Sequence, residues 1–202
     1  MSKVSICNKA LSYLGGRLIT SLDDTTREAQ LCKAVFDSAR DACLEARDWS
    51  FALERTQLVQ NAIKPDWGWG NAFTLPADCI RVIEARNDKQ TFKQNIMDWE
   101  LNGNEILCNS DSLQIRYLKR VEDTARYTPN FADALSARIA HDIAGALTQS
   151  TKLVEQAYIM YEKKLTEAAA LDGMQGRNRR IRSNKLTNAR AAGYQNTAGP
   201  YV

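Results

Sequence analysis

The chain has 202 residues, 44% hydrophobic and 25% charged, with 27 basic and 24 acidic side chains and a net charge of +3. This is ordinary for one globular domain, or one domain with an insertion, and no apolar run approaches the ~20 residues of a membrane span. The opening MSKVSICNKALSYLGG lacks the long apolar core of a signal peptide, and the five cysteines (Cys7, Cys32, Cys43, Cys79, Cys108) are widely spaced with no CxxC, so reduced, buried thiols in a cytosolic setting are expected rather than a disulfide framework or zinc site.

Residues 2–14 read as a helix. Val4, Cys7, Leu11 and Leu14 fall at helical spacing, Ser2 is placed to cap it, and Gly15-Gly16 ends it. After the linker RLITSLDD, Thr25 and Glu28 have the spacing of a capping box. The helix that follows carries a seam of Ala29, Cys32, Phe36, Ala39, Cys43 and Ala46, widened by Val35 and Ala42, and is expected to end near Asp48. Its opposite face holds Arg27, Lys33, Asp37, Arg40, Asp41, Glu45 and Arg47, which reads as a solvated surface.

Residues 55–121 change character. They contain Pro65, Pro76 and three of the four tryptophans. Trp67-Gly68-Trp69-Gly70 is too glycine-rich for a helix and reads as a loop. Residues 80–84 read as a strand, residues 99–108 as a hairpin turning at Asn102-Gly103, and the alternation of Leu113, Ile115 and Tyr117 as another strand. Helix returns at Thr128-Pro129, with a stripe of Phe131, Leu135, Ile139, Ile143 and Leu147. A break at Gln149-Ser150 precedes a last helix with a stripe of Val154, Ala157, Tyr158, Tyr161, Leu165 and Ala168, ending at Asp172-Gly173. The expected fold is mainly α: a four-helix bundle from 1–54 and 122–172, a small antiparallel β insertion at 55–121, and an extended basic C-terminal arm at 173–202.

The arm holds six basic residues and no acid, which leaves residues 1–172 three charges negative. It is too poor in large apolar residues to offset its own ordering entropy, so it is expected to become ordered on a partner. The candidate docking residues are Arg177, Arg179, Arg180, Ile181, Arg182, Lys185, Leu186, Arg190, Tyr194 and Tyr201. The arginines supply bidentate pairing to carboxylates, and the apolar residues supply anchors.

No catalytic spacing emerges. His141 is the single histidine, and no GxSxG, reactive-cysteine context, P-loop or GxGxxG accompanies it. Asp37, Asp41 and Glu45 share a helix face but are interleaved with Arg40 and Arg47, so a solvated face is expected rather than a metal site. Asp23-Asp24 reads as charge before a helix N-terminus. Glu45 and Glu54 are nominal carboxylates for a hydrolase, chosen only by elimination. No catalytic residue, cofactor or metal is expected.

The stretch NKALSYLGG-RLITSLDD-TTREAQLCKAVFDSARDACLEARDWSFALER resembles the opening of the tail tubular protein A family of short-tailed bacteriophages. The likeness continues in LPADCIRVIEA at 75–85 and in IRYLKRVEDTARYTPNFADALSARIAHDIAGALTQS at 115–150. It covers roughly residues 4–172 and not the arm. The resemblance implies a structural virion protein without enzymatic activity: a head-to-tail adaptor made in the host cytoplasm, which assembles as a twelvefold ring beneath the portal protein. Such a ring contacts the tail nozzle protein, lets DNA pass without specific recognition, and touches no membrane. A DNA conduit should avoid strong phosphate contacts, which suits an acidic body. The alternative is a nucleic-acid-binding protein gripping phosphates through RNRRIR at 177–182. The body shows no basic helix face to support it.

Overall fold

The computed structural model describes residues 1–87 and 97–175. Among them, helix α1 spans Lys3–Tyr13, α2 Arg27–Glu45, α3 Pro129–Thr148 and α4 Thr151–Gln175. Strands β1 Leu53–Leu58, β2 Asn71–Thr74, β3 Cys79–Arg86, β4 Trp99–Asn102, β5 Glu105–Cys108 and β6 Leu113–Lys119 form two antiparallel three-stranded sheets. Sheet A has the order β1-β6-β3 and sheet B the order β2-β5-β4.

Helix boundaries follow local chemistry. Ser2 and Ser5 cap α1 reciprocally, each hydroxyl accepting the other's backbone N–H at 3.1 Å. The chain leaves α1 through Gly15 at φ +68°, a conformation with little steric penalty only for glycine. Asn8 then clamps the linker, donating to the Ile19 carbonyl at 2.9 Å and accepting its N–H at 2.8 Å. The second helix is capped by Thr26, whose hydroxyl accepts the Ala29 N–H at 3.3 Å, and not by Thr25 paired with Glu28. It stops at Glu45, three residues before the expected Asp48, so that Trp49 can turn into the core. Thr128 caps α3 with Pro129 in its first turn, and Gln149 in the left-handed region separates α3 from α4. The β4–β5 turn is Gly103-Asn104, one position beyond the expected pair, and of these two only Gly103 has positive φ.

The expected four-helix bundle with a small insertion is wrong. The described residues are 49% helical and 20% strand, an α+β fold. Helix α3 is the hub and packs on α1, α2 and α4. Ten of its residues are buried, and its alanines (Ala132, Ala134, Ala137, Ala140, Ala144) let neighbours approach closely. Sheet A is a layer against these helices rather than an outlying insertion. Leu53, Ile80, Ile83, Leu118 and Val121 join the helical core. Strand alternation sends Leu58, Leu113, Ile115, Tyr117, Val82 and Ala85 into a second core, shared with Phe73, Leu75, Ile106 and Cys108 around sheet B. Register shifts at Cys79/Arg81 and Val82/Glu84 let β3 feed both cores at three-residue spacing. The layers are therefore helices, sheet A and sheet B.

Trp49 is the joint between the first two layers. It is fully buried, its Nε1–H donates to the Cys43 carbonyl at 2.8 Å, and its ring meets Phe131 edge-on at 5.0 Å. Phe51 and Tyr127 complete the aromatic group. Beside it, Asp172 ties α4 to the start of β1, accepting the Ser50 N–H at 2.9 Å and its hydroxyl at 2.6 Å. Asp172 was expected to end the last helix. Instead α4 continues through Gly173 and Met174 to Gln175, so these three residues belong to the body. Asp172→Ala leaves the Ser50 N–H without its acceptor and should cost about 1–3 kcal/mol, the usual penalty of a stranded polar group. Deleting residues 176–202 should change stability by less than about 1 kcal/mol, because both cores close without them. Urea denaturation of the two variants checks the contrast.

Candidate interaction surfaces

The arm residues nominated from the sequence, Arg177, Arg179, Arg180, Ile181, Arg182, Lys185, Leu186, Arg190, Tyr194 and Tyr201, lie outside the described residues. The structure instead places their point of departure. Asp172 fixes the end of α4 at Ser50, so the chain leaves the body at the root of β1.

Among the described residues, no group of three His, Cys, Asp or Glu side chains could hold a metal ion, and no helix is long and apolar enough to cross a membrane. Asp37 and Asp41 flank Arg40, which donates to them at 2.8 Å each and is only 4% exposed. Arg120 reaches Asp41 at 3.0 Å and Lys3 lies 3.7 Å from Asp37. Burial works against the Arg40 charge, but the hydrogen bond it donates to Asp41 and the fields of Asp41 and Asp37 outweigh it and raise its pKa. Arg40 therefore departs from the expected solvated face. Its position within the buried seam was missed because an arginine in a charged row gives no local sign of burial. Glu45 is exposed, and Glu54 is paired with Lys119 at 2.9 Å. Asp24 accepts the Thr20 and Ser21 N–H groups and the Thr20 hydroxyl, each at 3.0 Å, and backbone donation from Ser21 leads the causes that lower its pKa. Asp23 pairs with Lys33 at 2.6 Å. Of these carboxylates, Asp37 and Asp41 hold the buried Arg40 and Asp24 folds the linker.

His141 sits 3.4 Å from the Val154 carbonyl through Nδ1 and 5.3 Å from the Tyr158 ring. With Val154, Glu155, Tyr158 and Ile159 it lines an apolar hollow of about 380 Å³ on the α3–α4 flank. Tyr158 was expected on the buried stripe of α4. It is half exposed because the stripe facing α3 runs through Ala157, Tyr161, Leu165 and Ala168.

The loop between β1 and β2 crowns sheet B and exposes large apolar side chains. Val59, Ile63 and Trp67 in the loop between β1 and β2 are 82%, 84% and 86% exposed. Trp69 ties that loop to β4, its Nε1–H donating to Glu100 at 2.7 Å, next to the half-exposed Leu101. Charge separates this crown from sheet A. There, Glu54 and Asp78 pair with Lys119, Glu84 pairs with Arg86 and Arg116, and Asp48 pairs with Arg81. Around sheet B, residues 59–75 and 97–112 contain Asp66, Asp98, Glu100, Glu105 and Asp111 against the single base Lys64. None of those five acids has an ion-pair partner among the described residues.

The cysteines behave as core residues. Cys7, Cys32, Cys43 and Cys108 are buried, and burial pushes the Cys43 thiol up to about 12 and the half-buried Cys79 to about 11. Both shifts lie above the free-thiol value, so at pH 8 Cys43 and Cys79 present less reactive thiolate in the native chain than in the unfolded chain. An aromatic disulfide reagent should label at most Cys79, slowly, in native protein and all five thiols in denaturant. Rapid native labelling of more than one thiol contradicts the placement.

Comparison with family models and with curated proteins finds no match to this chain.

Proposed function

We propose that this protein is a structural virion component, the head-to-tail adaptor of a short-tailed bacteriophage, assembling as a ring between portal and nozzle. The observation that carries the reading is the order of segments similar to the tail tubular protein A family, which fall on joints and framework elements of the fold. LGG is the exit from α1, SLDD is the linker folded around Asp24, WSFA is the Trp49 joint into β1, LPADCIRVIEA enters β3, and the last segment spans β6 and α3. These motifs specify a framework and no chemistry. Two separate apolar surfaces, the sheet B crown and the α3–α4 flank, suit the dissimilar faces that a closed ring brings together. In this role DNA passes through the ring and the subunit has no catalytic duty. The test is the mass of the particle, measured alone and after mixing with the portal ring. Addition of about twelve copies per portal ring is expected from the family likeness, and failure to associate with portal overturns the reading.

A further inference from the structure

We infer that Cys7 and Cys32 form a dithiol built into the α1–α2 contact, which a low-molecular-weight disulfide oxidises to a bond locking the N-terminal helix to α2. The proposal does not rest on the adaptor reading. The register of the two helices brings the thiols together. Lys3 Nζ lies 5.0 Å from the Phe36 ring centre and 3.7 Å from Asp37. Cys7 stands one turn after Lys3 in α1, and Cys32 one turn before Phe36 in α2. Antiparallel helices in this register set Cys7 against Cys32. The same register sets Ala10 against Ala29, and two alanines let the backbones approach as closely as a disulfide requires. All four side chains are fully buried in one core. A hydrogen bond joins the two thiols, and it is the leading cause that raises the Cys7 pKa and lowers that of Cys32. Cys7 is thus the donor, and Cys32 holds the sulfur that more readily carries negative charge. The remaining cysteines keep other company: Cys43 lies by Tyr161 and Arg138, Cys79 by Asp78, and Cys108 by Ser110.

With glutathione disulfide as the oxidant, the Cys32 thiolate attacks one of its sulfurs. One glutathione thiolate leaves, and a mixed disulfide remains on Cys32. The Cys7 thiol then loses its proton to solvent, and its sulfur attacks the Cys32 sulfur and expels the second glutathione. Two protein thiols are oxidised to one disulfide, and one glutathione disulfide is reduced to two thiols. Both protein sulfurs are sealed from water, so the exchange passes through local opening of α1. That helix rests chiefly on α3 and only lightly on α2, so the bond adds a tie where few contacts exist. A close-packed core has no room for a glutathionyl group, so reburial of α1 favours its expulsion by Cys7. The closed bond spans residues 7–32 and removes the freedom of that loop from the unfolded chain.

The experiment refolds the full chain from urea in buffers of set ratios of reduced to oxidised glutathione. Free thiols are then alkylated, and the protein is digested with trypsin without reduction. Cys7 lies on the peptide VSICNK (4–9) and Cys32 on EAQLCK (28–33), so the bond appears in mass spectra as that linked pair. It should be the dominant linked pair. Its equilibrium constant against glutathione should be at least about tenfold larger in the native chain than in concentrated urea. By linkage the closed protein gains the same factor in stability, and should melt about 3 °C or more above the reduced protein. Cys32→Ala should melt alike in both buffers. Absence of the linked pair from natively folded protein overturns the proposal, as does a ratio of constants below about tenfold. A closed form that melts no higher than the reduced one also overturns it, as does a melting shift retained in natively folded Cys32→Ala.

Discussion

Phe36→Ala should remove about 3–5 kcal/mol of stability, the range for truncating a buried aromatic side chain. Phe36 is 2% exposed in the middle of α2, flanked along the seam by Cys32 and Ala39. Its small neighbours let α2 lie close to α3, so the ring supplies most of the volume at that level. Lys3 from α1 extends over its face, with Nζ 5.0 Å from the ring centre. The substitution therefore opens a cavity where α1, α2 and α3 converge, and close-packed alanines cannot collapse into it without shifting backbone. A loss of this size is a large share of the 5–15 kcal/mol that holds a typical domain folded. Phe36→Leu keeps the site apolar and most of its volume, and should cost about 1.5 kcal/mol or less. Guanidinium denaturation measures both, and an unchanged m-value would show that the denatured state is not the cause. A cost below about 1 kcal/mol for Phe36→Ala would mean that α2 is not held by this seam.

The helices were legible because their signals are local. Ser2 and Thr128 sit next to the backbone donors they satisfy, and Gln149-Ser150 breaks the periodicity where the chain turns back. Adjacent threonines defeated the same logic at α2, since Thr25 and Thr26 are equally suited to cap and only the path of the linker chooses between them. The sheets were under-read for a different reason. The sequence LERTQL of β1 holds two apolar residues five apart, one for each core, and β2 is only four residues long. Their strand character comes from pairing with β6 and β5, partners 31 to 65 positions away along the chain. Without β1, the block from 55 to 121 reads as an insertion; with it, sheet A becomes the middle layer. Arg40 and Asp172 were misjudged on similar grounds. Each is polar in a polar neighbourhood of sequence, and each is buried because a distant segment supplies its partner or covers it: Arg120 and Tyr127 near Arg40, Ser50 at Asp172.

Replacing Arg177, Arg179, Arg180 and Arg182 by Gln should weaken association with the portal by about 10- to 100-fold at 0.1 M salt, if the adaptor reading holds. Four exposed charge pairs at roughly 0.2–1 kcal/mol each account for a change of this order, and bidentate geometry moves it toward the upper end. The substitutions lie beyond α4, so the body should keep its melting temperature. Raising salt on the wild type should reproduce most of the loss, because the contacts are exposed and screened over about 10 Å. Portal binding unaffected by the arginine substitutions and by deletion of residues 176–202 would remove the arm from the docking role. DNA binding lost in the arginine variant while portal binding persists would favour the nucleic-acid reading in its place.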